Sequence, residues 1–235
     1  MDELKLTDST LVVIFGDNGM ALGEVGLFGK DTNFDISSRV PLIFHVPWLA
    51  AKGEERKVVR AHDFVQLFDV YPTLGSLLDI PSNEIHSYPV EGADHSHRVA
   101  LLAQRSPKAS SAPATRTAVF SQIYRCPKAR CTFAPITAMH RVGYSVRTDL
   151  WRYTVYLVSA KGQVDWDQKV AEELYSHEDD DETLFNYDGG VKLETETLNI
   201  ADQRPDVCAE LFEVLKERFS NPLDLLSLSA RATVR

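Results

Sequence analysis

Apolar and polar positions change rhythm several times along this chain, and each rhythm predicts an element. Val12, Val13, Ile14 and Phe15 form a short continuous apolar run, which predicts a strand buried on both faces. "VPLIFHVP" (Val40 to Pro47) predicts a second strand. Phe64, Leu67, Phe68, Tyr71, Leu74, Leu77 and Leu78 recur at helical spacing, with Pro72 expected to open a second helix. "QRSPKASSAPATRT" (Gln104 to Thr117) is rich in Ser, Ala and Pro and reads as a linker. Beyond it, "AVFSQIY", "VGYSVRT" and "WRYTVYLV" carry the aromatic and β-branched residues of strands, with "RTDL" as a hairpin turn. "RPDVCAELFEVLKERF" predicts a helix with Val207, Leu211, Val214, Leu215 and Phe219 on one face. The expected organisation is an α/β part over 1–103, a linker over 104–117, and a small α+β part over 118–235, an antiparallel sheet with a C-terminal helix packed on it.

Chemistry concentrates where the first strand should end. Gly16 lets the chain leave the sheet, and Asp17 and Asn18 follow. Ligands of open α/β sheets bind beyond the carboxyl ends of strands. A carboxylate and a carboxamide offer oxygen donors there, which suits a hard cation such as calcium. Asn followed by Gly is equally a common turn signal, so the triplet alone decides nothing. The glycines from Gly16 to Gly29 do not fit the dinucleotide fingerprint. "GLFGKD" lacks a P-loop's first glycine and has Asp31 where Ser or Thr is needed.

The stretch taken whole is more specific. Asp17-Asn18-Gly19, then Leu22-Gly23-Glu24-Val25-Gly26, then Lys30 resembles the sulfatase family of the alkaline phosphatase superfamily. "NFDISSRVPLIFHVP" is similar to that family's segment leading into the next strand, and "FVQLFDVYPTLGSLLDIP" to its Asp-x-x-Pro-Thr-Leu helix. "GYSVRTDLWRYTVYL" and "ELYSHEDDDETLFN" are similar to its C-terminal hairpin and the segment after it. The resemblance covers nearly the whole chain. It implies the C-terminal part of a sulfatase-type α/β sandwich followed by the small antiparallel-sheet subdomain.

The resemblance also implies a site. Asp17 and Asn18 would be ligands of a calcium ion, and Lys30 would place positive charge beside a sulfate. Glu24 would brace the loop, and Val25 stands where the family usually has His. The nucleophile, a formylglycine made from Cys or Ser in Cys/Ser-x-Pro-x-Arg, and the paired aspartates of the first strand belong to an N-terminal part expected to be missing here. "CPKAR" (Cys126 to Arg130) does not supply the motif, because its Pro comes one residue too early. The implied function is sulfuric ester hydrolysis on sulfated glycosaminoglycan ends or another sulfate ester, with this chain carrying half of the site. The alternative is a catalytically inactive, truncated sulfatase-like chain that binds an anion or a partner.

Charge and composition narrow the partners. A net charge of −9 argues against a general nucleic-acid binder and requires a polyanionic substrate to find a local basic pocket. No apolar run is long enough to span a bilayer. The resemblance implies a lysosomal or secreted protein, whereas "MDELKLTDST" has no apolar core of a secretory signal. Cys126 and Cys131 either close a small loop disulfide or stay reduced, with Cys208 free in an apolar helix.

Further candidates point away from chemistry. His95 and His97 in "GADHSHR" have a metal-pair spacing but are expected to be solvated in a polar loop. "HEDDDE" (His177 to Glu182) is expected to be a solvated acidic loop. His45 and His140 have no evident partners, and Arg147 and Arg152, which flank the hairpin turn, are expected to be structural.

Overall fold

The computed structural model describes residues 1–49, 58–86, 91–104, 116–125, 140–160, 163–178 and 196–220. Most of the expected linker, 105–115, lies outside them, as do Cys126, Cys131 and the acidic residues 179–182. The chain divides into two compact units. One comprises 1–17 and 40–116, the other 18–39 and 117–235.

In the first unit, β1 (Val12–Phe15) and β4 (Leu42–His45) pair antiparallel, with Ile14 opposite Ile43. The expected strand forms, but it is not buried on both faces. Ile14 is 58% and Phe15 50% exposed. The reason is local: among the described residues β1 has β4 as its only ladder partner, and a two-stranded ribbon cannot cover its own faces.

A 3₁₀ turn (Leu67–Asp69) runs into α2 (Val70–Leu77), followed by α3 (Ser82–Ile85) and α4 (Ser96–Ala103). Pro72 does not start a separate helix. It lies in the first turn of α2, where its missing N–H leaves no hydrogen bond unmade. The buried positions of this segment also differ from the apolar stripe. Leu67, Phe68, Tyr71 and Leu78 are exposed, whereas Asp69, Val70, Pro72, Thr73 and Leu77 are buried.

Asp69 explains the difference. Its carboxylate accepts the N–H groups of Gln66 (2.8 Å) and Ala93 (2.7 Å), and Arg116 Nε (2.9 Å) and Nη2 (2.6 Å). His95 Nε2 lies 3.2 Å away. Burial alone would push this carboxyl up, but the hydrogen bonds from His95, Arg116 and the two amides outweigh it and hold it at about 2. A charge paired this fully can be buried while exposed leucines nearby remain in water.

The second unit is built on a four-stranded antiparallel sheet in the order β5-β6-β7-β8. The strands are β5 (Ala118–Arg125), β6 (Arg141–Thr148), β7 (Trp151–Ala160) and β8 (Gln163–Ser176). Alternate residues of a strand face opposite sides. Val142, Tyr144 and Val146 of β6, with Trp151, Tyr153, Val155 and Leu157 of β7, form an apolar core with Leu174 and the C-terminal helix α5 (Pro205–Ser220). The helix contributes Val207, Cys208, Leu211, Val214 and Leu215 as its period predicts. Phe219 is partly buried and stacks on Tyr144 with centroids 4.0 Å apart. Cys208 is a free, buried thiol, pushed up to about 11 mainly by burial.

The opposite face of β6 and β7 is buried too, although it is polar. Ser145 pairs with Thr154 and Arg147 with Arg152 across the register, and all four are buried. The cover comes from the excursion 18–39. It contains the two-residue strands β2 (Ala21–Leu22) and β3 (Phe28–Gly29), paired antiparallel, and the short helix α1 (Asp35–Ser38).

Candidate functional site

The excursion 18–39, which carries Asn18 and Lys30, is a folded-back loop held by backbone contacts. Gly23 (φ +125°) and Gly29 (φ +112°) bracket the β2–β3 turn in conformations that side chains disfavour. The Glu24 carboxylate accepts the Leu22 N–H. Backbone N–H groups hold its pKa below the ordinary value, so Glu24 braces the turn. Gly19 N–H donates to Ser37 O at 2.9 Å, and a Cβ at Gly19 would collide with the Ile36 carbonyl. Only glycine lets the loop lie this close to α1.

This folding brings Asn18 and Lys30 together. Lys30 Nζ donates to Asn18 Oδ1 at 2.8 Å, and Asn18 Nδ2 donates to Gly19 O at 2.8 Å. Lys30 is exposed and Asn18 half-buried. Asp17, two residues beyond the end of β1, is exposed. Oxygen donors at Asp17 and Asn18 match the demands of a hard cation.

A second polar constellation in the same unit has no counterpart among the expected site residues. Asp35, His177 and Glu196 bring ligand-type atoms within 4.8 Å of one another. Arg152, itself buried, donates through Nη2 to Asp35 Oδ1 and through Nε to Glu196 Oε1. Arg147 Nε lies 3.7 Å from Asp35 Oδ2. The Asp35 N–H donates to Glu196 Oε2 at 2.6 Å, and His177 Nε2 is 3.3 Å from Glu196 Oε1. Burial would raise the Asp35 pKa, but Arg152 and Arg147 beside it, with lesser help from His177 and Arg39, hold it well below the usual carboxylate range. Two guanidinium groups already balance the two carboxylates, so a dication would meet repulsion there. The constellation is an ion-pair network and not a metal centre.

Neighbouring residues fasten the same segment. Asn33, buried, donates to Gly143 O at 3.3 Å and accepts from Ser121 Oγ at 3.0 Å. Phe34 meets Tyr175 edge to face at 5.5 Å. Thr154 Oγ1 donates to Ser145 Oγ at 2.9 Å beneath Arg152.

Two histidine expectations need correction. His95 is buried against Asp69, and its N–H donates to Thr73 Oγ1 at 2.9 Å, whereas His97 is exposed. His177 is buried beside Glu196 and does not belong to a solvated loop. A dense set of buried partners, invisible in local composition, offsets desolvation in both cases.

With this geometry in place, comparison with known proteins is informative. The chain is 29% identical to mouse (Mus musculus) iduronate 2-sulfatase and 28% identical to the human (Homo sapiens) protein. Each alignment covers 67% of this chain and 34% of the relative, so the chain spans about a third of the length of the curated relatives it matches. Among solved structures, a protein in complex with its substrate D-glucosamine-2-N,6-O-disulfate superposes with a TM-score of 0.57 at 18% identity. That match covers 95% of this chain and 37% of the other. A structure from the Bacteroides thetaiotaomicron core genetic locus for metabolism of multiple glycosaminoglycans gives a TM-score of 0.56 at 13% identity, over 99% of this chain and 42% of the other. No family model matches the chain. The chain is thus similar to sulfatases, and it matches the C-terminal part of their α/β fold with the antiparallel-sheet subdomain.

Proposed function

We propose that this chain carries one part of a sulfatase active site, built from Asp17, Asn18 and Lys30, that serves hydrolysis of sulfate esters at the ends of sulfated glycosaminoglycans. The observation that carries the reading is the 2.8 Å contact between Lys30 Nζ and Asn18 Oδ1. It pairs the one cation and one of the two oxygen ligands that the family resemblance singles out. Asp17 and Asn18 would hold a calcium ion. Such an ion, when bound, supplies fixed positive charge for the sulfate and for the activated nucleophile oxygen. Lys30 presents a compact ammonium to sulfate oxygens, where negative charge shifts as the ester bond breaks. A local cation also lets a polyanion approach a chain whose net charge is −9. A lysosomal or secreted location accompanies this reading.

The nucleophile is proposed to come from a segment outside these residues, because Cys/Ser-x-Pro-x-Arg occurs nowhere in the 235 positions. The same observation favours a second reading, a sulfatase-like chain that binds an anion or partner without turnover. Coding sequence upstream of Met1 separates the two. A Cys/Ser-x-Pro-x-Arg motif and paired aspartates there support the enzyme, and their lack supports the non-catalytic chain. The direct test is an aryl or uronate sulfate assay on a polypeptide joining this chain to such a segment. Lys30→Ala should lower turnover about a hundredfold or more. Unchanged turnover would remove Lys30 from the site.

A further inference from the structure

Arg152 stands at the start of an unbroken line of contacts that ends at the Asn18–Lys30 pair. Its guanidinium spans Asp35 and Glu196. Asp35 opens α1, and its own N–H also donates to Glu196. The helix start is therefore tied twice, by its side chain to the Arg152 guanidinium and by its backbone N–H to the Glu196 carboxylate. Two residues on, the Ser37 carbonyl takes the Gly19 N–H at 2.9 Å. The Gly19 backbone lies so close to Ile36 that a Cβ there would collide with the Ile36 carbonyl oxygen, which leaves no room for a side chain between the loop and α1. Gly19 is next in chain to Asn18, which takes Lys30 at 2.8 Å.

We propose that Arg152 is a positioning residue for the Asn18–Lys30 pair, acting through Asp35, Glu196 and the backbone of α1. This rests on the reading that the pair belongs to the sulfate site. A buried ion pair adds little net stability over an apolar replacement, because both charges lose their water. What it does supply is direction. The planar guanidinium fork fixes two carboxylates at once, which a lysine ammonium at the end of a flexible stem does not. Ser145, 3.4 Å from Arg152 Nη1, and Thr154 behind it hold the fork from the sheet side. Rigid strands of the sheet thus set the place of an irregular loop, as a site of defined geometry requires.

The linkage is tested by amide hydrogen exchange, followed by NMR, on the 235-residue chain. Arg152→Lys keeps the charge and loses the fork. Asp35→Asn keeps the size of the side chain and loses its charge, and it reads the same linkage if Arg152→Lys does not fold. In folded Arg152→Lys the Gly19 amide should exchange about tenfold faster or more, while the Val142 and Val155 amides of the central strands change less than about twofold. In Asp35→Asn, which also lowers the stability of the whole unit, the Gly19 rate should rise at least about tenfold more than theirs. A merely structural role would accelerate all three amides together. Uniform acceleration, or an unchanged Gly19 rate in both variants, overturns the proposal. Exchange reports the linkage without any turnover, so its failure is distinct from failure of the site reading, which the Lys30→Ala assay decides.

Discussion

Arg147 and Arg152 are direct partners in the β6–β7 register, and Asp35 lies against both guanidinium groups. Like charges directly opposite in a sheet repel, so this pairing needs the anion placed between it. Asp35→Ala should destabilise the second unit by about 3–5 kcal/mol, the cost of leaving buried charge without its partner. Urea unfolding followed by the fluorescence of Trp151 and Trp166 measures this. A loss below about 1 kcal/mol would mean that Glu196 balances both arginines alone.

Asp69 makes stability depend on acid. Its folded pKa of about 2 lies below the ordinary 3.8, so the unfolded chain binds the proton more readily. The contribution is therefore complete above pH 4 and is lost as pH falls from about 4 towards 2. For a shift of this size it is about 2 kcal/mol. Urea midpoints at pH 6 and pH 2.5 should differ accordingly, and Asp69→Asn should reduce the difference. If Asp69→Asn leaves the pH dependence intact, other carboxylates such as Asp35 carry it.

The sequence alone exposed some of this structure and concealed the rest for physical reasons. The helix α5 and the inner faces of β6 and β7 follow their apolar periods, because a single regular element decides which residues meet the core. The stripe of Leu67, Phe68, Tyr71 and Leu78 misleads, because a polar cluster at Asp69 takes the buried side. His95 and His97 share a loop and a spacing, yet one is buried and the other exposed, and only remote residues decide which. Asn18 and Lys30 were identifiable from motif resemblance, while their contact depends on how Gly19 meets α1. Arg152 had a legible sign. Two arginines flanking a short hairpin turn must face each other, and they call for acids that sequence cannot locate at Asp35 and Glu196.

Residues 1–235 by themselves should show no sulfatase turnover, since Cys/Ser-x-Pro-x-Arg does not occur in their sequence. Co-expression with a formylglycine-generating enzyme and assay against an aryl sulfate tests this. Turnover that survives purification and disappears in Asp17→Ala would show that the nucleophile is supplied by other chemistry within this chain.

Lys30→Arg separates a positioned ammonium from bulk positive charge. Arginine keeps the charge but replaces three donors on one compact nitrogen with a planar fork, whose charge is spread and whose reach is longer. Lys30 Nζ now sits 2.8 Å from Asn18 Oδ1, and a guanidinium there would displace either the amide or the anion proposed to bind beside it. In a polypeptide that also carries the nucleophile segment, Lys30→Arg should lose most of its activity, approaching Lys30→Ala. Asp17→Ala should lose more than Glu24→Ala, because Asp17 is proposed to touch the ion whereas Glu24 holds the Leu22 N–H of the loop. Measured as kcat/KM on one sulfate ester, these four variants form a pattern. Near-normal rates in Lys30→Arg would reduce Lys30 to a source of field, and equal small losses in Asp17→Ala and Glu24→Ala would leave the Asp17-Asn18-Gly19 triplet as a turn.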